Sequence, residues 1–342
     1  MENTENSKVM NFINKYNLPV VKIDESRNYW LVRTKAGKYF EEFFSEDFIA
    51  VGWNEFSNMD DLENKPDEVL KTQIKEIYPD KEQPGRILNQ IKRFLFEIKP
   101  GDIVMIPSQN SSLIRFGQIT GEPFLRNVSE TQIDEGVCPY KKSRHVKWLK
   151  TVKRYDLDPY LYRMMQAHQT VSKANDYAHF IDRTLHSFFI KNNTAYIVFD
   201  ITKDDNIAAF DLVNFVNSIV DLVPLVNDLK GIENEKNYTK ADLDLKLNIQ
   251  SPGFTEFSSY LPELILGICL LIVFLTGSKF KGTNLKGEDY EAHFKGLFED
   301  KLKIEEKDLK EMKEEHIRTL EKVKGELPEE LKKFIDTNDQ ED

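Results

Sequence analysis

The chain has 342 residues, 40% of them hydrophobic and 11% aromatic, which is enough apolar material for packed cores and excludes a disordered protein. A net charge of −11 argues against a general nucleic-acid coat. Two cysteines, Cys138 and Cys269, make neither a disulfide framework nor a zinc site and suit a reducing compartment.

At roughly 100–200 residues per domain, the length suits about two domains. Residues 1–24 read as a short polar lead with a helical turn at Val9, Phe12 and Ile13. Met1–Lys8 has no apolar segment of the kind that marks secretion, so the N-terminal half is expected in the cytoplasm. From Tyr29 the pattern turns to strand: Tyr29–Arg33 and Phe48–Trp53 are β-branched and aromatic runs broken by Gly37 and Gly52. Residues 65–98 read as helices, with Ile87, Ile91, Phe94 and Leu95 at helical spacing after Pro84-Gly85. Strands return at Asp102–Pro107, Ser112–Gly121 and Arg144–Leu149, and residues 157–188 read as helical.

A smaller β–α–β unit is expected over 189–255: strand Thr194–Ile201, helix Ala209–Leu229, and strand Leu243–Ile249, whose strict alternation predicts a half-buried strand. A hydrophobic segment over 256–281 and a charged helical tail over 282–342 follow. The tail carries a thin apolar seam of Leu302, Leu309, Met312, Leu320, Val323 and Leu327, which suits pairing with another helix. The expected fold class is therefore α+β: a small mixed β-barrel with helices over 25–188, then the β–α–β oligomerisation unit, one hydrophobic helix and the tail.

Motifs for catalysis are missing. There is no phosphate-binding glycine loop, no Gly-x-Ser-x-Gly elbow, no His-Glu-x-x-His and no cysteine pair. Six scattered histidines recommend no metal site, and Asp244 with Lys246 reads as the polar face of a strand rather than a nuclease core. A non-enzymatic protein without metal or cofactor is expected.

Residues 140–155 differ from the acidic rest. Lys141, Lys142, Arg144, His145, Lys147, Lys150, Lys153 and Arg154 interleave with Tyr140, Trp148 and Tyr155. Cations neutralise phosphates and flat aromatic faces stack bases, so the run suits an anionic aromatic ligand; Lys92, Arg93 and Arg115 are candidates for the same surface. The competing reading is charge balance in an acidic protein. The tryptophans, Trp30, Trp53 and Trp148, fall one per strand, as core residues or as a base sandwich at a barrel mouth.

These residues resemble a family. Tyr29-Trp30-Leu31-Val32-Arg33, Ile49-Ala50-Val51-Gly52-Trp53, Gln90 with Phe94, Pro100-Gly101-Asp102-Ile103-Val104, Gly117-Gln118-Ile119 and Arg144-His145-Val146-Lys147-Trp148 look like the N-terminal module of Mrr-type restriction proteins, which is related to EVE and PUA-like barrels. The resemblance covers about residues 25–185. It implies a pocket for a modified base, nucleotide or nucleic-acid end, in bacterial defence, with Trp30, Arg33, Gly52, Trp53, Phe116 and Trp148 as pocket residues. Downstream, nothing matches the nuclease domain of Mrr-type proteins. The arrangement of sensor, small domain and apolar helix is instead similar to membrane effectors of nucleotide-signalling anti-phage systems, the Hailong type among them.

The chain is uncharged from Leu264 to Ser278, about 22 Å of helix against a hydrocarbon core of about 30 Å. Extension to Leu261 and Phe280 reaches that thickness, so Leu264, Ile265, Leu266, Ile268, Leu271, Ile272 and Phe274 are expected to face lipid, as an inner-membrane span or one that inserts on activation. A soluble oligomerisation helix is the other reading. The resulting expectation is a homo-oligomeric defence effector that senses a nucleotide or short oligonucleotide made by a partner enzyme and breaches a bilayer. The alternative is a soluble nucleic-acid-binding specificity subunit.

Overall fold

A computed structural model describes residues 2–203, 205–232, 237–248, 253–276 and 306–339. They form two units, Ser26–Leu185, and Met1–Glu25 together with His186–Asp342. The chain begins in the second of these, with the helix Glu2–Tyr16 and strand β1 (Val21–Lys22).

The Ser26–Leu185 unit holds β2 (Tyr29–Val32), β3 (Phe48–Val51), β4 (Ile103–Pro107), β5 (Leu113–Ile119), β6 (Phe124–Leu125), β7 (Lys142–Lys153) and β8 (Val171–Lys173). Their order is β3-β7-β5-β4-β2-β8, with β6 also on β7. Only β2 and β4 run parallel. The long β7 pairs with β3 through His145 and with β5 from Val146 onward, which curls the sheet into a half-barrel. A bulge at Phe116/Gly117 sharpens the curl. A Cβ on Gly117 would lie 2.3 Å from Val146 Cγ1 and 2.8 Å from Trp148 Cε3, so only glycine lets β7 close over β5 here.

β2, β3 and β4 are buried along their whole length because helices pack on the sheet. Asp67–Ile77 and Pro84–Lys92, the latter continued by a π-turn at Arg93–Glu97, bring Leu70, Ile74, Ile87, Leu88, Ile91, Phe94 and Leu95 into that core. Asp102 ties the start of β4 to β2: its carboxylate accepts from Trp30 Nε1 at 2.8 Å and from the backbone N–H groups of Asn28 and Lys99 at 2.9 Å each.

The helix expected over 157–188 is broken. Pro159–Met164 and Ala178–Leu185 are helical, but β8 between them pairs antiparallel with β2. The Gln90 side-chain oxygen accepts from the N–H groups of Thr170 and Val171, and Asn175 Oδ1 accepts from Tyr29 N. Tertiary pairing of this kind overrides helical periodicity.

The second unit adds β9 (Phe188–Lys191), β10 (Thr194–Ile201), β11 (Asp244–Asn248), β12 (Gly253–Ser259) and β13 (Gly325–Glu326), in the order β1-β9-β10-β12-β11 with β13 on β10. Asn192 and Asn193, both left-handed, make the tight turn between β9 and β10. The stretches expected as lead, β–α–β unit, apolar helix and tail therefore build one core rather than successive pieces. Val9 and Phe12 of the first helix are buried with Phe215 and Ile219 of helix Ala209–Val220 and with Val323 and Leu331 near the C-terminus. In the tail, Met312, Leu320 and Leu327 pack against this core, while Leu302 lies outside the described residues.

The helix Pro262–Leu275 is the centre of that core. Leu264, Ile265, Leu266, Ile268, Leu271 and Ile272 are wholly buried and Phe274 nearly so, among Phe199, Phe257, Val223 and Val226. In this conformation the residues expected to face lipid face protein. The extension from Gly277 to Phe280 lies outside the described residues. Among the described residues, the stretch long and apolar enough to cross a membrane is Ala209–Val226, with Phe210 74% and Val213 54% exposed.

Candidate ligand-binding groove

The two-residue period of a strand divides the basic run of β7 between two faces. Lys142, Arg144 and Val146 turn into the unit, whereas His145 and Lys147 turn to solvent. Trp148, on the inward face near the bulge, is half-buried and donates from Nε1 to Phe43 O at 3.2 Å. Around it opens a shallow groove of about 480 Å³ lined by Phe44, Asp47, Thr120, His145, Val146, Lys147 and Trp148.

Three rings, Phe44, His145 and Trp148, line the groove. Phe44 and Trp148 lie 6.2 Å apart between centroids, and the His145 ring stacks on Phe124 at 4.2 Å and 14°. Phe44 is held from behind by the Arg115 guanidinium, 3.8 Å from the ring centre, which in turn pairs with Glu41 at 3.0 Å. Arg115 thus acts as a support for the aromatic wall and not as a free cation. Lys147 supplies positive charge, Thr120 a hydroxyl, and Asp47 a carboxylate able to accept N–H donors. Flat faces, one cation and mixed polar groups can hold a planar heterocycle carrying a phosphate.

The remaining sequence candidates divide into structural groups. Trp30 is buried on Asp102, and Phe116 is buried against Tyr29, Met105 and Ile181. Arg144 lies in the core, where Nε donates to Phe94 O at 2.8 Å, Nη2 to Leu95 O at 2.7 Å and Nη1 to Gly121 O at 3.1 Å. Burial holds its pKa down at about 10. Arg33 donates to the carbonyls of Met165 and Ala167. These groups build the domain and do not line the groove.

Lys142, Gly52 and Trp53 form a separate cluster. The buried Lys142 ammonium donates to Trp53 O at 2.7 Å, and burial pushes its pKa down to about 8. Trp53 is left-handed (φ 59°), and a Cβ on Gly52 would sit 3.2 Å from the Tyr140 ring, so this turn is locked by packing. Lys141 is exposed, with its backbone N–H on Asn54 Oδ1. Lys92 and Arg93 do not join the groove: Lys92 pairs with Asp67 at 2.6 Å and Arg93 donates to Gln169 at 3.0 Å.

Of the residues singled out in the basic and aromatic run, His145, Lys147 and Trp148 line the groove. Phe44, Asp47 and Thr120 were missed. Phe44 had a signal: in Phe-Glu-Glu-Phe-Phe, Phe40 and Phe43 occupy the buried stripe, leaving Phe44 41% exposed. Asp47 and Thr120 reach the groove only because β7 sits between β3 and β5. Among the described residues no group of His, Cys, Asp and Glu is placed to hold a metal ion, and both cysteines are buried and free.

Residues 28–175, most of the half-barrel unit, match the family model of a domain of unknown function, DUF8426. No curated protein is detectably similar to the chain.

Proposed function

We propose that the half-barrel unit is a PUA/EVE-like reader of a nucleotide or short oligonucleotide, bound in the groove at Trp148. The observation that carries this reading is the pairing of the Phe44/Trp148 wall with the His145 ring, itself stacked on Phe124, and with Lys147 at the same opening. A base stacks on the exposed ring faces, Asp47 and Thr120 meet its polar edge, and Lys147 meets phosphate. The second unit is the output, and homo-oligomers of it act on a bilayer in a defence response to a signal made by a partner enzyme. Within that unit the exposed side of Ala209–Val226 offers lipid-ready surface, whereas Pro262–Leu275 has to leave its core to do so.

The test is binding. Mass spectrometry of nucleotide released from the purified full chain identifies the ligand class, and titration of that compound gives affinity. Stacking of about 1–3 kcal/mol per base predicts that Trp148→Ala weakens binding roughly 5- to 150-fold. Lys147→Glu weakens it further as salt is lowered, because like charges then repel at longer range. Unchanged affinity in both variants overturns the assignment of the groove.

The burial of Pro262–Leu275 favours a second reading, a soluble nucleic-acid-binding subunit. Fractionation separates the two. Release from membranes only by detergent supports the effector, and a fully soluble protein that shifts duplex DNA supports the subunit.

A further inference from the structure

Leu243–Ile249 alternates like a strand with one face in a core, yet β11 is the least covered strand of its sheet. Leu245 is 43% and Leu247 38% exposed. Register shows why. Leu245 lies opposite Phe257 and Leu247 opposite Thr255, and Phe257 and Thr255 point into the core, so both leucines share the core face. Among the described residues they are left partly uncovered. Among the described residues β11 also ends the sheet, its outer side being an edge. An apolar edge strand without proline or bulge is a template for another strand.

We propose that this edge pairs with β11 of a second copy of the chain, antiparallel about a two-fold axis at Leu245. Directly opposed residues of antiparallel strands share a face, so only registers that set leucine against leucine keep the apolar face continuous. Four such registers exist near the centre of the strand, and centring on Leu247 opposes Lys246 to the partner's Asn248, with no charge pair formed. Centring on Lys246 opposes two lysines, and centring on Asp244 opposes two aspartates. Centring on Leu245 opposes Leu245 to the partner's Leu245, Leu243 to the partner's Leu247, and Asp244 to the partner's Lys246. Every apolar pair then meets on one face and every charged pair is complementary on the other. Leu243 is already extended (φ −110°, ψ 114°), so the ladder can run through it. Each copy uses the same patch, as a two-fold dimer requires.

This deepens the homo-oligomer part of the proposed function and rests on it, but it does not involve the groove at Trp148. Asp244 suits the test because it is exposed and faces Ser258 within its own sheet, so reversing its charge leaves the fold undisturbed. By sedimentation velocity the wild-type chain should be a dimer. Asp244→Lys should weaken association about tenfold or more, since both cross-strand ion pairs become like-charged. Independently, Leu245→Cys should cross-link copies under mild oxidation, the native cysteines being buried. A wild-type monomer, an Asp244→Lys dimer of undiminished affinity, or a Leu245→Cys chain that stays uncross-linked overturns the proposal. Ligand titration of Asp244→Lys keeps the two readings apart: intact ligand binding with lost dimerisation supports the interface alone, and lost nucleotide binding in an intact dimer removes only the groove.

Discussion

His316 gives the sharpest test of how the second unit is held together. It is 1% exposed, and neither ring nitrogen has a hydrogen-bond partner. It lines a small crevice of about 190 Å³ with Asn214, Asn217, Ser218, Asp221, Leu222, Met312 and Glu315, where helix Glu306–Lys322 meets helix Ala209–Val220. Burial pushes its pKa from 6.5 down to about 4. The unfolded chain therefore binds a proton that the folded unit refuses between those values. Stability is at its full value above pH 6.5 and falls as pH drops toward 4, by about 1.4 kcal/mol per pH unit and about 3 kcal/mol in total. Asp221 and Glu315 line the same crevice, the first paired with Lys240 and the second with Arg318, and any reorientation toward the imidazolium makes the loss smaller.

All three tryptophans lie in the half-barrel unit, so their fluorescence reports that unit alone. Hydrogen exchange of segments 209–226 and 262–275 reports the other. Lowering pH from 7 to 5 should reduce the protection of those segments, measured as exchange relative to the intrinsic amide rate at each pH, while tryptophan fluorescence stays native. His316→Leu, which removes two unpaired buried nitrogens at about 1–3 kcal/mol of desolvation each, should slow exchange at pH 7 and abolish the part of the pH slope due to this residue. A variant with the same pH slope as wild type refutes the reasoning, because other groups then carry the acid sensitivity.

Gly267 faces Val226 within the apolar core, and an added Cβ would lie 2.5 Å from Val226 Cγ1. Overpacking costs of about 1–3 kcal/mol outweigh the helix preference of alanine, so Gly267→Ala should lower the thermal midpoint of the second unit, followed by far-ultraviolet circular dichroism. Arg144→Met leaves three backbone carbonyls without their donor, and it should destabilise the half-barrel by several kcal/mol in urea titrations followed by tryptophan fluorescence. Unaltered stability with lost ligand binding would return Arg144 to the binding surface.

Strands bounded by strong punctuation were legible in the sequence. Residues 48–51, 103–107 and 194–201 form strands as their β-branched runs imply, and Ala209–Val220 is helical as its spacing implies. Local chemistry determines such elements because the period of apolar residues and the glycine or proline at their ends act over a few residues. The mixed α+β class and the aromatic-basic character of β7 followed from the same signals.

Tertiary structure decided the rest. Val171–Lys173 became a strand because β2 offered an edge, and Glu2–Tyr16 joined a core that runs from Phe188 to Leu331, far along the chain. Lys142, Arg144 and Lys147 are the same kind of residue in one run, yet the first two cap buried carbonyls and only the third faces the groove. The apolar stretch at 262–275 reads equally as lipid-facing or protein-facing, since hydrophobicity has no direction; the surrounding helices and sheet put it inside. The alternation of Leu243–Leu247 likewise specified an apolar face but not its cover, which depends on how far neighbouring helices reach.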